Sequence, residues 1–477
     1  MKKNIHLPAC DIPVLAETDV LVCGGGPAGC AAALGAARNG AKTLLVERDG
    51  YLGGATVSQL VSVILSSNGV DFQGVWHEYA RALKARNGLL GPFEKKNEWW
   101  GSVDPEQVKF VWDALLEEAG VRLLHHAWVS ETIVEPSENS SDTLPRITGV
   151  ILETRAGRRA VIAQRVIDAT GDGAVCAQAG VPWDQGDGTH PWAMACTMVF
   201  RMANVRWPAD HPNPKAVREF ETMLAQAVED GEYDSPVVTE IKRLVNYLRH
   251  KCWLLPEKRT GEYLSVMSRV LRVDPMDPFD FTRAVREGRE QARQCAEACQ
   301  RFAPGFENAY LLDTGAHIGL RSSRRIRGVA AVTAEDVLKL KQYPDGIARG
   351  SFAVDVWPAD SYNRPAGCAG SGDAFRKYGV TRKERNERIS AGECYDIRYG
   401  ALVASGVDNL LMAGRCISAE HHAQSSLRIQ QTCMATGQAA GTAAALSLRE
   451  KVTPRELNTE TLTRQLARDR DVEPLEV

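Results

Sequence analysis

The sequence predicts an α/β protein whose main sheet is parallel and is interrupted by an inserted α+β segment. Short apolar strands alternate with helices over residues 19–47 and again over 409–448, and a further buried strand is predicted over 164–171. Such alternation is typical of a parallel sheet that is covered on both faces. Between about residues 181 and 396 the sequence changes to long charged helical stretches, over 216–253 and 279–301, and Pro-rich turns, which predicts the insertion. A polar hairpin loop is expected over 136–145, before the insertion.

Net charge and the length of the apolar segments argue against nucleic acid and membranes as binding partners. The 477 residues carry a formal net charge of −3, which gives no electrostatic reason to expect nucleic acid or an anionic membrane. The two N-terminal lysines are not followed by an apolar stretch, and the apolar span over residues 432–446 is too short to cross a bilayer. We therefore expect a cytoplasmic protein that binds a small molecule, with no nucleic acid or membrane partner and with a homo-oligomer left open.

The cysteines predict neither disulfides nor a metal site. There are 12 of them, no C-x-x-C occurs, and without an export signal they are expected to be reduced. Cys295 and Cys299 have helical i,i+4 spacing, but no second pair or adjacent histidine completes a ligand set. We interpret them as small buried residues and predict no metal.

The first strand ends in a complete G-x-G-x-x-G formed by Gly24, Gly26 and Gly29, and a helix is predicted to follow over residues 28–39. In such a unit the first glycine makes a tight turn, the second lets a pyrophosphate approach the backbone, and the third allows close helix–strand packing. The amino end of the helix then faces the phosphates. This block predicts a dinucleotide site.

The next strand ends at Glu47, where a carboxylate can accept hydrogen bonds from the ribose hydroxyls of an adenosine. A second glycine pair, Gly53 and Gly54, follows shortly afterwards, whereas a second complete fingerprint does not occur. The residues by themselves leave NAD and FAD open.

Three further blocks carry a family resemblance. They are D-A-T-G-D-G at residues 168–173, I-G-L-R-S-S-R-R-I-R-G at 318–328, and the long block at 409–441 that begins N-L-L-M-A-G-R-C. With them, over about residues 18–448, the chain resembles the FAD-dependent oxidoreductases of the glutathione-reductase-like superfamily, in the succinate dehydrogenase and fumarate reductase branch. More narrowly, it resembles a broad bacterial FAD-dependent oxidoreductase family related to the heterodisulfide reductase A subunit.

The resemblance implies a doubly wound, Rossmann-like FAD domain of glutathione-reductase type. Residues 1–180 and 395–450 would form this domain, residues 181–394 an inserted α+β substrate domain, and residues 451–477 a C-terminal helix. The FAD would be non-covalent, since no histidine or cysteine stands near the Gly53–Gly54 loop. The residues expected to contact it are Gly24, Gly26, Pro27, Ala28, Gly29, Glu47, Arg48, Gly53, Gly54, Ala55, Thr56, Val129, Thr170, Gly171, Asp172, Gly414, Arg415, Ile429 and Gln430.

The block at 409–441 also has a direct interpretation. A strand over 409–413 ends at Gly414, and a helix that begins near Gln431 has a thin wall at Gly437 and Gly441. The amino end of such a helix can stabilise negative charge on a reduced flavin. The alternative is a small-residue helix that packs against another helix.

His421 is the predicted general base or acid, because imidazole titrates near neutral pH and the family has a histidine at this position of a loop. His422, His317 and His190 are the other candidates. The resemblance also favours Arg428 and Arg321 as residues that orient the substrate, although either could be a surface charge. Ser322 stands where relatives commonly carry an acid, which weakens transfer of residue roles. Two other departures, Y-D-I-R-Y-G at 395–400 and Trp357 in place of a histidine, prevent transfer of a family substrate.

The expected reaction is hydride transfer between a C–H bond of a polar small molecule and flavin N5. Three alternatives remain: reduction of an activated C=C bond, an FAD-binding electron-relay subunit of a larger complex, and a nucleotide-binding protein without turnover. Cysteine clusters that could carry electrons onward are absent from the sequence, which argues against the relay.

Overall fold

A computed structural model describes residues 5–6, 8–66, 74–95, 98–136, 144–206, 222–223, 226–227, 229–233, 253–254, 261–360 and 372–469. The strands within these residues are β1 (Val14–Cys23), β2 (Thr43–Val46), β3 (Val63–Ser66), β4 (Leu89–Lys95), β5 (Glu98–Val103), β6 (Arg122–Leu124), β7 (Trp128–Glu135), β8 (Arg146–Thr154), β9 (Gly157–Asp168), β10 (Trp183–Asp184), β11 (Phe200–Ala203), β12 (Trp253–Leu254), β13 (Tyr263–Ser265), β14 (Tyr310–Thr314), β15 (Arg325–Ile326), β16 (Gly346–Gly350), β17 (Tyr395–Arg398) and β18 (Leu410–Met412).

The helices are α1 (Pro27–Arg38), α2 (Ala55–Ser58), α3 (Val75–Ala85), α4 (Pro105–Glu118), α5 (Ala174–Gln178), α6 (Pro278–Phe302), α7 (Ala334–Lys339), α8 (Gly372–Lys377), α9 (Arg382–Ser390), α10 (His421–Leu427), α11 (Gln430–Arg449) and α12 (Thr459–Asp469). Short 3-10 helices cover Tyr399–Ala401 and Gly414–Cys416.

The main sheet has seven strands in the order β6-β2-β1-β9-β8-β7, and β18 also pairs with β9. Strands β6, β2, β1, β9 and β18 are parallel, while β7 and β8 pair in antiparallel fashion with their neighbours. The parallel-rich sheet confirms the α/β class. The chain runs from β1 to β2 on one side, whereas β9 lies on the other side, so the strand order switches between β1 and β9.

This switch point places the predicted glycine turns next to each other. Cys23, the last residue of β1, is in register with Val46 of β2 and with Asp168 of β9, and Asp168 is in register with Met412 of β18. The carboxyl ends of four parallel strands therefore lie at one edge of the sheet. In open α/β sheets, ligands bind at this edge beside the switch point.

Helices α1 and α11 pack with their backbones nearly in contact. A Cβ atom added at Gly437 would lie 2.0 Å from the carbonyl oxygen of Ala28, and one added at Gly441 would lie 1.9 Å from that of Ala32. Only glycine permits so close an approach. The glycines of α11 therefore serve helix packing, as in the alternative interpretation. This packing involves Gly437 and Gly441 and not the amino end of the helix at Gln430.

A second, antiparallel sheet has the strand order β12-β13-β11-β14. Together with α6 it encloses a separate cluster of buried apolar residues, which includes Cys295 and Cys299 as small buried side chains. The first cluster surrounds the main sheet and also takes in residues of β15, α7 and β16. The domain boundaries at residues 181 and 394 stay predictions.

Several local predictions can be compared with the structure. The charged helix predicted over 279–301 is present as α6. The antiparallel strands β7 and β8 flank the loop predicted over 136–145, of which residues 137–143 lie outside the described residues. The helix predicted over 216–253 lies largely outside the described residues. The block at 318–328 is largely irregular: Arg325–Ile326 pair with β10, and Gly319 and Gly328 form isolated bridges to Thr197 and Ala404.

No helix among the described residues is long and apolar enough to cross a membrane. Within the same residues no group of three or more His, Cys, Asp or Glu side chains is arranged to hold a metal ion, and the cysteines are free thiols.

Candidate functional site

The three glycines of the first loop play different parts. Gly24 has φ +106°, and a Cβ atom there would lie 2.6 Å from the carbonyl oxygen of Ala169, while one at Gly29 would lie 1.8 Å from that of Gly24. The protein's own packing thus requires both glycines. Gly26 has φ −74°, and the nearest heavy atom to its added Cβ is 3.9 Å away. Neither conformation nor protein packing demands a glycine there, so the space over Gly26 fits a ligand.

The amino end of α1 borders this space. Gly26 is its N-cap residue, no side chain caps the helix, and Pro27 occupies its first turn. Uncapped N–H groups and the positive end of the helix dipole favour an anion. Gly54 has φ +48°, and a Cβ there would lie 2.7 Å from Cα of Gly26, so the second glycine loop abuts the first. Together the two loops fit the pyrophosphate of a dinucleotide.

Glu47 is buried beneath the first loop. Its carboxylate accepts a hydrogen bond from the N–H of Gly25 and another, at 2.8 Å, from the N–H of Asp49. These bonds fix the carboxylate, and each of its oxygens retains a second acceptor position that suits a ribose hydroxyl. The neighbouring guanidinium of Arg48 lies 3.3 Å from Nδ1 of His317.

The D-A-T-G-D-G turn is organised by Asp168, which is completely buried. Its carboxylate accepts hydrogen bonds from the N–H and the hydroxyl of Thr170, at 3.1 and 2.7 Å, and from the N–H of Cys176 at 2.9 Å. Burial raises the pKa of Asp168, and these hydrogen bonds oppose the rise. The hydroxyl of Thr170 is thus bonded inside the turn, while Gly171 (φ +76°) and Asp172 lie at its outer end.

Arg415 joins three of the predicted blocks. Its Nε donates to the carbonyl of Gly171 at 2.9 Å, Nη2 bonds Asp172 at 2.7 Å, and Nη1 donates to the carbonyl of Leu320 at 2.5 Å. These three bonds are made to the protein, and a contact of the same guanidinium with cofactor oxygens stays a prediction. Arg415 therefore holds the D-A-T-G-D-G turn against the block at 318–328.

The second glycine loop also meets α11. The hydroxyl of Thr56, on α2 next to Ala55, donates to Oε1 of Gln430 at 2.8 Å, and Nε2 of Gln430 donates to the carbonyl of Val61 at 2.8 Å. Ile429 is the N-cap residue of α11, and no side chain caps that helix either.

Gly414 (φ +80°) ties this end of the chain to the first loop. Its N–H donates to the hydroxyl of Thr436 at 3.1 Å, and a Cβ there would lie 2.8 Å from Cβ of Ala28. Val129 is a buried residue of β7. The N-terminal and C-terminal blocks predicted to contact one cofactor therefore lie together.

The two arginines expected to orient the substrate belong to one network. Arg428 bonds the carboxylate of Asp355 at 2.7 Å, and Nε1 of Trp357 donates to the same carboxylate at 3.2 Å. The guanidinium of Arg321 lies 4.0 Å from the centre of the Trp357 ring and donates to the hydroxyl of Thr197 at 2.8 Å. Trp357, the departure from the family histidine, thus connects Arg321 with Arg428.

His421 begins α10 and does not lie in a loop, contrary to prediction. Its helix has an N-cap at Glu420 but no side-chain cap, so the sequence offered no signal for a helix start. The side chain is half-buried, and Nδ1 has no hydrogen-bond partner among the described residues. Burial, with Arg325 and His422 adding to it, lowers the pKa of His421 to about 4. The imidazole is neutral near pH 7 and can accept a proton.

The other candidate histidines lie in different surroundings. His317 lies between β14 and β15 in the chain and contacts the segment that follows β2, with Nε2 at 3.5 Å from Asp49. His190 stacks on Trp192 with ring centres 4.2 Å apart. Burial lowers the pKa of His422. Cys416 is fully buried, which raises its pKa and keeps the thiol protonated.

Sequence reasoning missed two partners. Asp355, which holds Arg428, is 73 residues away from it in the chain, and the Gly25 N–H that fixes Glu47 is 22 residues away. No local signal marked either partner. The two aspartates of D-A-T-G-D-G were visible in the sequence, but it did not distinguish Asp168, which organises the turn, from Asp172, which bonds Arg415.

No curated protein sequence matches the chain significantly. Solved structures that resemble it are a flavoprotein/dehydrogenase from Cytophaga hutchinsonii (13% identity, 94% of this chain and 82% of that chain, TM-score 0.46) and the OxyS anhydrotetracycline hydroxylase from Streptomyces rimosus (13% identity, 95% and 66%, TM-score 0.41). A third is THI4 from Thermovibrio ammonificans (20% identity, TM-score 0.27). This match covers 35% of the present chain and 64% of THI4.

These structural likenesses are too weak to carry an argument about function. The family assignment rests instead on the family model "FAD dependent oxidoreductase", which matches residues 19–466 and therefore nearly the whole chain. The match includes both glycine loops, the D-A-T-G-D-G turn and the C-terminal block that the structure brings together. The chain belongs to the FAD-dependent oxidoreductase family, and it is an oxidoreductase that uses FAD.

Proposed function

We propose that the enzyme transfers hydride between a C–H bond of a polar small molecule and its flavin, with His421 moving the accompanying proton. The observation that carries the proposal is the position of a neutral imidazole on α10. Along the chain this helix directly follows Gly414–Cys416 and directly precedes α11, and both of these segments are expected to contact the flavin. Family membership supports the cofactor but leaves the substrate open.

We propose that the pyrophosphate binds over Gly26 at the amino end of α1 and that the ribose binds at Glu47. FAD, when bound, supplies a hydride acceptor or donor at N5. The Thr56–Gln430 bond would hold the amino end of α11 beside the second glycine loop, where its N–H groups favour negative charge. An arrangement of this kind corresponds to the glutathione-reductase type of FAD domain, with residues 181–394 as the substrate domain.

The network around Trp357 would orient the substrate. A guanidinium offers a rigid fork of donors that suits a carboxylate, carbonyl or hydroxyl. Asp355 fixes Arg428, and the face of Trp357 supports Arg321. The main-chain N–H of Asp355 also donates to Ser425 of α10 at 2.9 Å, so the network is attached to the helix that carries His421.

His421 would take the proton of a substrate hydroxyl as the C–H bond breaks, or return it in the opposite direction. A general base works best with a pKa near the operating pH, and a buried imidazole with a pKa of about 4 is a weak one. Its value lies in being deprotonated throughout the physiological range.

An anaerobic screen tests the proposal. Sugars, hydroxy acids, amino acids and enoates are added to the FAD-loaded protein, and bleaching of its visible absorption is recorded by stopped flow. We expect one class of C–H donor to bleach the flavin. The variant His421→Ala should keep its flavin and lose at least tenfold in reduction rate, whereas His77→Ala, a histidine substitution on α3, should react like the parent.

The alternatives give different results in the same screen. An enoate that reoxidises a chemically reduced flavin would indicate reduction of an activated C=C bond. A flavin that none of these compounds bleaches or reoxidises would contradict the proposal and favour electron relay or binding without turnover. The cytoplasmic location stays a prediction.

A further inference from the structure

Trp128 is a large aromatic side chain that the fold leaves uncovered. It is the first residue of β7 and is 55% exposed, whereas the next residue, Val129, is 9% exposed and faces the core. Single exposed aromatic residues are common on protein surfaces, so exposure alone carries no inference. The position of this one does.

Trp128 lies at the carboxyl end of β2, beside the expected ribose ligand. The N–H of Ala127 donates to the carbonyl of Glu47 at 3.0 Å, and the N–H of Glu47 donates to the carbonyl of Leu124 at 2.9 Å. Trp128 therefore directly follows a residue, Ala127, whose main chain is hydrogen-bonded to Glu47. An adenine attached to a ribose at Glu47 would have to pass this part of the surface.

Arg48 completes a stacking surface. Its guanidinium carbon lies 5.2 Å from the centre of the Trp128 ring, within cation–π range. The same guanidinium is 3.3 Å from Nδ1 of His317, whose Nε2 is 3.5 Å from Asp49. Arg48 is thus held from two sides, which reduces the entropy that a ligand must remove on binding.

We propose that Trp128 and Arg48 form the adenine-binding surface of the FAD site. An indole ring and a guanidinium plane both stack on a purine, whatever hydrogen bonds the purine edge makes. The inference rests on the ribose position at Glu47 given under the proposed function. It assigns to Trp128 a role in affinity for the adenosine half of the cofactor, with no part in the redox step.

The test measures binding and not turnover. Apoprotein is titrated with FAD, with ADP and with FMN, which lacks the adenosine. Loss of one aromatic–base stack by substitution to alanine is worth about 1–3 kcal/mol, or roughly 5- to 150-fold in Kd. We expect Trp128→Ala to weaken FAD and ADP by that factor and to leave FMN unchanged, while Trp128→Phe retains part of the affinity.

Phe110 on α4 offers a matched control. It is 52% exposed, and the guanidinium carbon of Arg86 lies 5.5 Å from its ring centre, so Phe110→Ala removes a similar exposed aromatic–arginine pair. It should bind all three ligands like the parent. Thermal unfolding of each apoprotein checks that the variants fold.

Unchanged FAD and ADP affinity in Trp128→Ala would overturn the inference, as would an equal loss of affinity for FMN. Failure of the parent to bind FAD would overturn the cofactor placement as well, and with it the proposed function. Because the titrations need no substrate, a negative substrate screen does not affect them.

Discussion

The substitution Gly26→Ala separates a glycine that the ligand requires from glycines that the protein requires. An added Cβ at Gly26 finds its nearest heavy atom 3.9 Å away, in a backbone with φ −74° that alanine adopts freely. Alanine also restricts the unfolded chain, which by itself stabilises a compatible site by about 0.4–1 kcal/mol. We therefore expect apo Gly26→Ala to unfold at the parent's temperature or slightly above it.

FAD binding should respond in the opposite direction. The methyl group occupies the space that fits the pyrophosphate, so the phosphates move away from the uncapped N–H groups of α1. Loss of one hydrogen bond to a charged group costs about 1.5–3 kcal/mol, which corresponds to roughly 10- to 150-fold in Kd. Fluorescence titration of apoprotein with FAD measures the Kd, and differential scanning calorimetry measures the unfolding temperature.

Gly29→Ala is the comparison. Its Cβ would lie 1.8 Å from the carbonyl oxygen of Gly24, so this variant should lose stability even without FAD. The reasoning is refuted if apo Gly26→Ala melts as low as Gly29→Ala, or if it binds FAD as tightly as the parent.

Three further predictions follow from buried contacts. Arg415→Lys loses the planar group of donors that bonds Gly171, Asp172 and Leu320, and urea unfolding should show a destabilisation of about 2–3 kcal/mol. Unchanged stability would show that Arg415 does not hold the two turns together. Gly437→Ala places a Cβ 2.0 Å from a carbonyl of α1 and should cost about 2–3 kcal/mol by overpacking, again measured by urea unfolding; a neutral effect would show that α1 and α11 can separate. The folded pKa of His421, about 4, lies below the value of roughly 6.5 for unfolded histidine, so the unfolded state binds the extra proton and stability falls as the pH drops from 6.5 to 4. Over this interval the free energy of unfolding should fall less in His421→Gln than in the parent, by at most about 3 kcal/mol. Equal pH dependence of the unfolding free energy in the two proteins would contradict the burial of a neutral imidazole.

The sequence predicted the parallel-rich α/β class and the first two strands with their helix because local patterns carry that information. Glycine spacing, an acid at a strand end and apolar runs of four to ten residues report backbone geometry directly. The predicted helix over 28–39 differs from α1 by one residue at each end, and the start near Gln431 differs from α11 by one. For α1 this accuracy follows from Pro27 and Gly40, which restrict where a helix can begin and end.

The protein partners of Arg415 could not be predicted. Its guanidinium bonds two turns that are distant in the chain, and a sequence carries no local signal for such partners. His421 was expected in a loop, because a helix of seven residues without a side-chain cap leaves no periodic pattern.

By itself, the sequence determined that this chain has one complete dinucleotide fingerprint, an acid at the end of the second strand and a family-specific C-terminal block, since each is a property of neighbouring residues. Only the tertiary structure decided that Gly26 faces open space while Gly24 and Gly29 face backbone, and that Asp355 joins Arg428 to Trp357. Those facts depend on which distant segments the parallel sheet brings to one edge, and residues separated by tens or hundreds of positions carry no local signal of their contact.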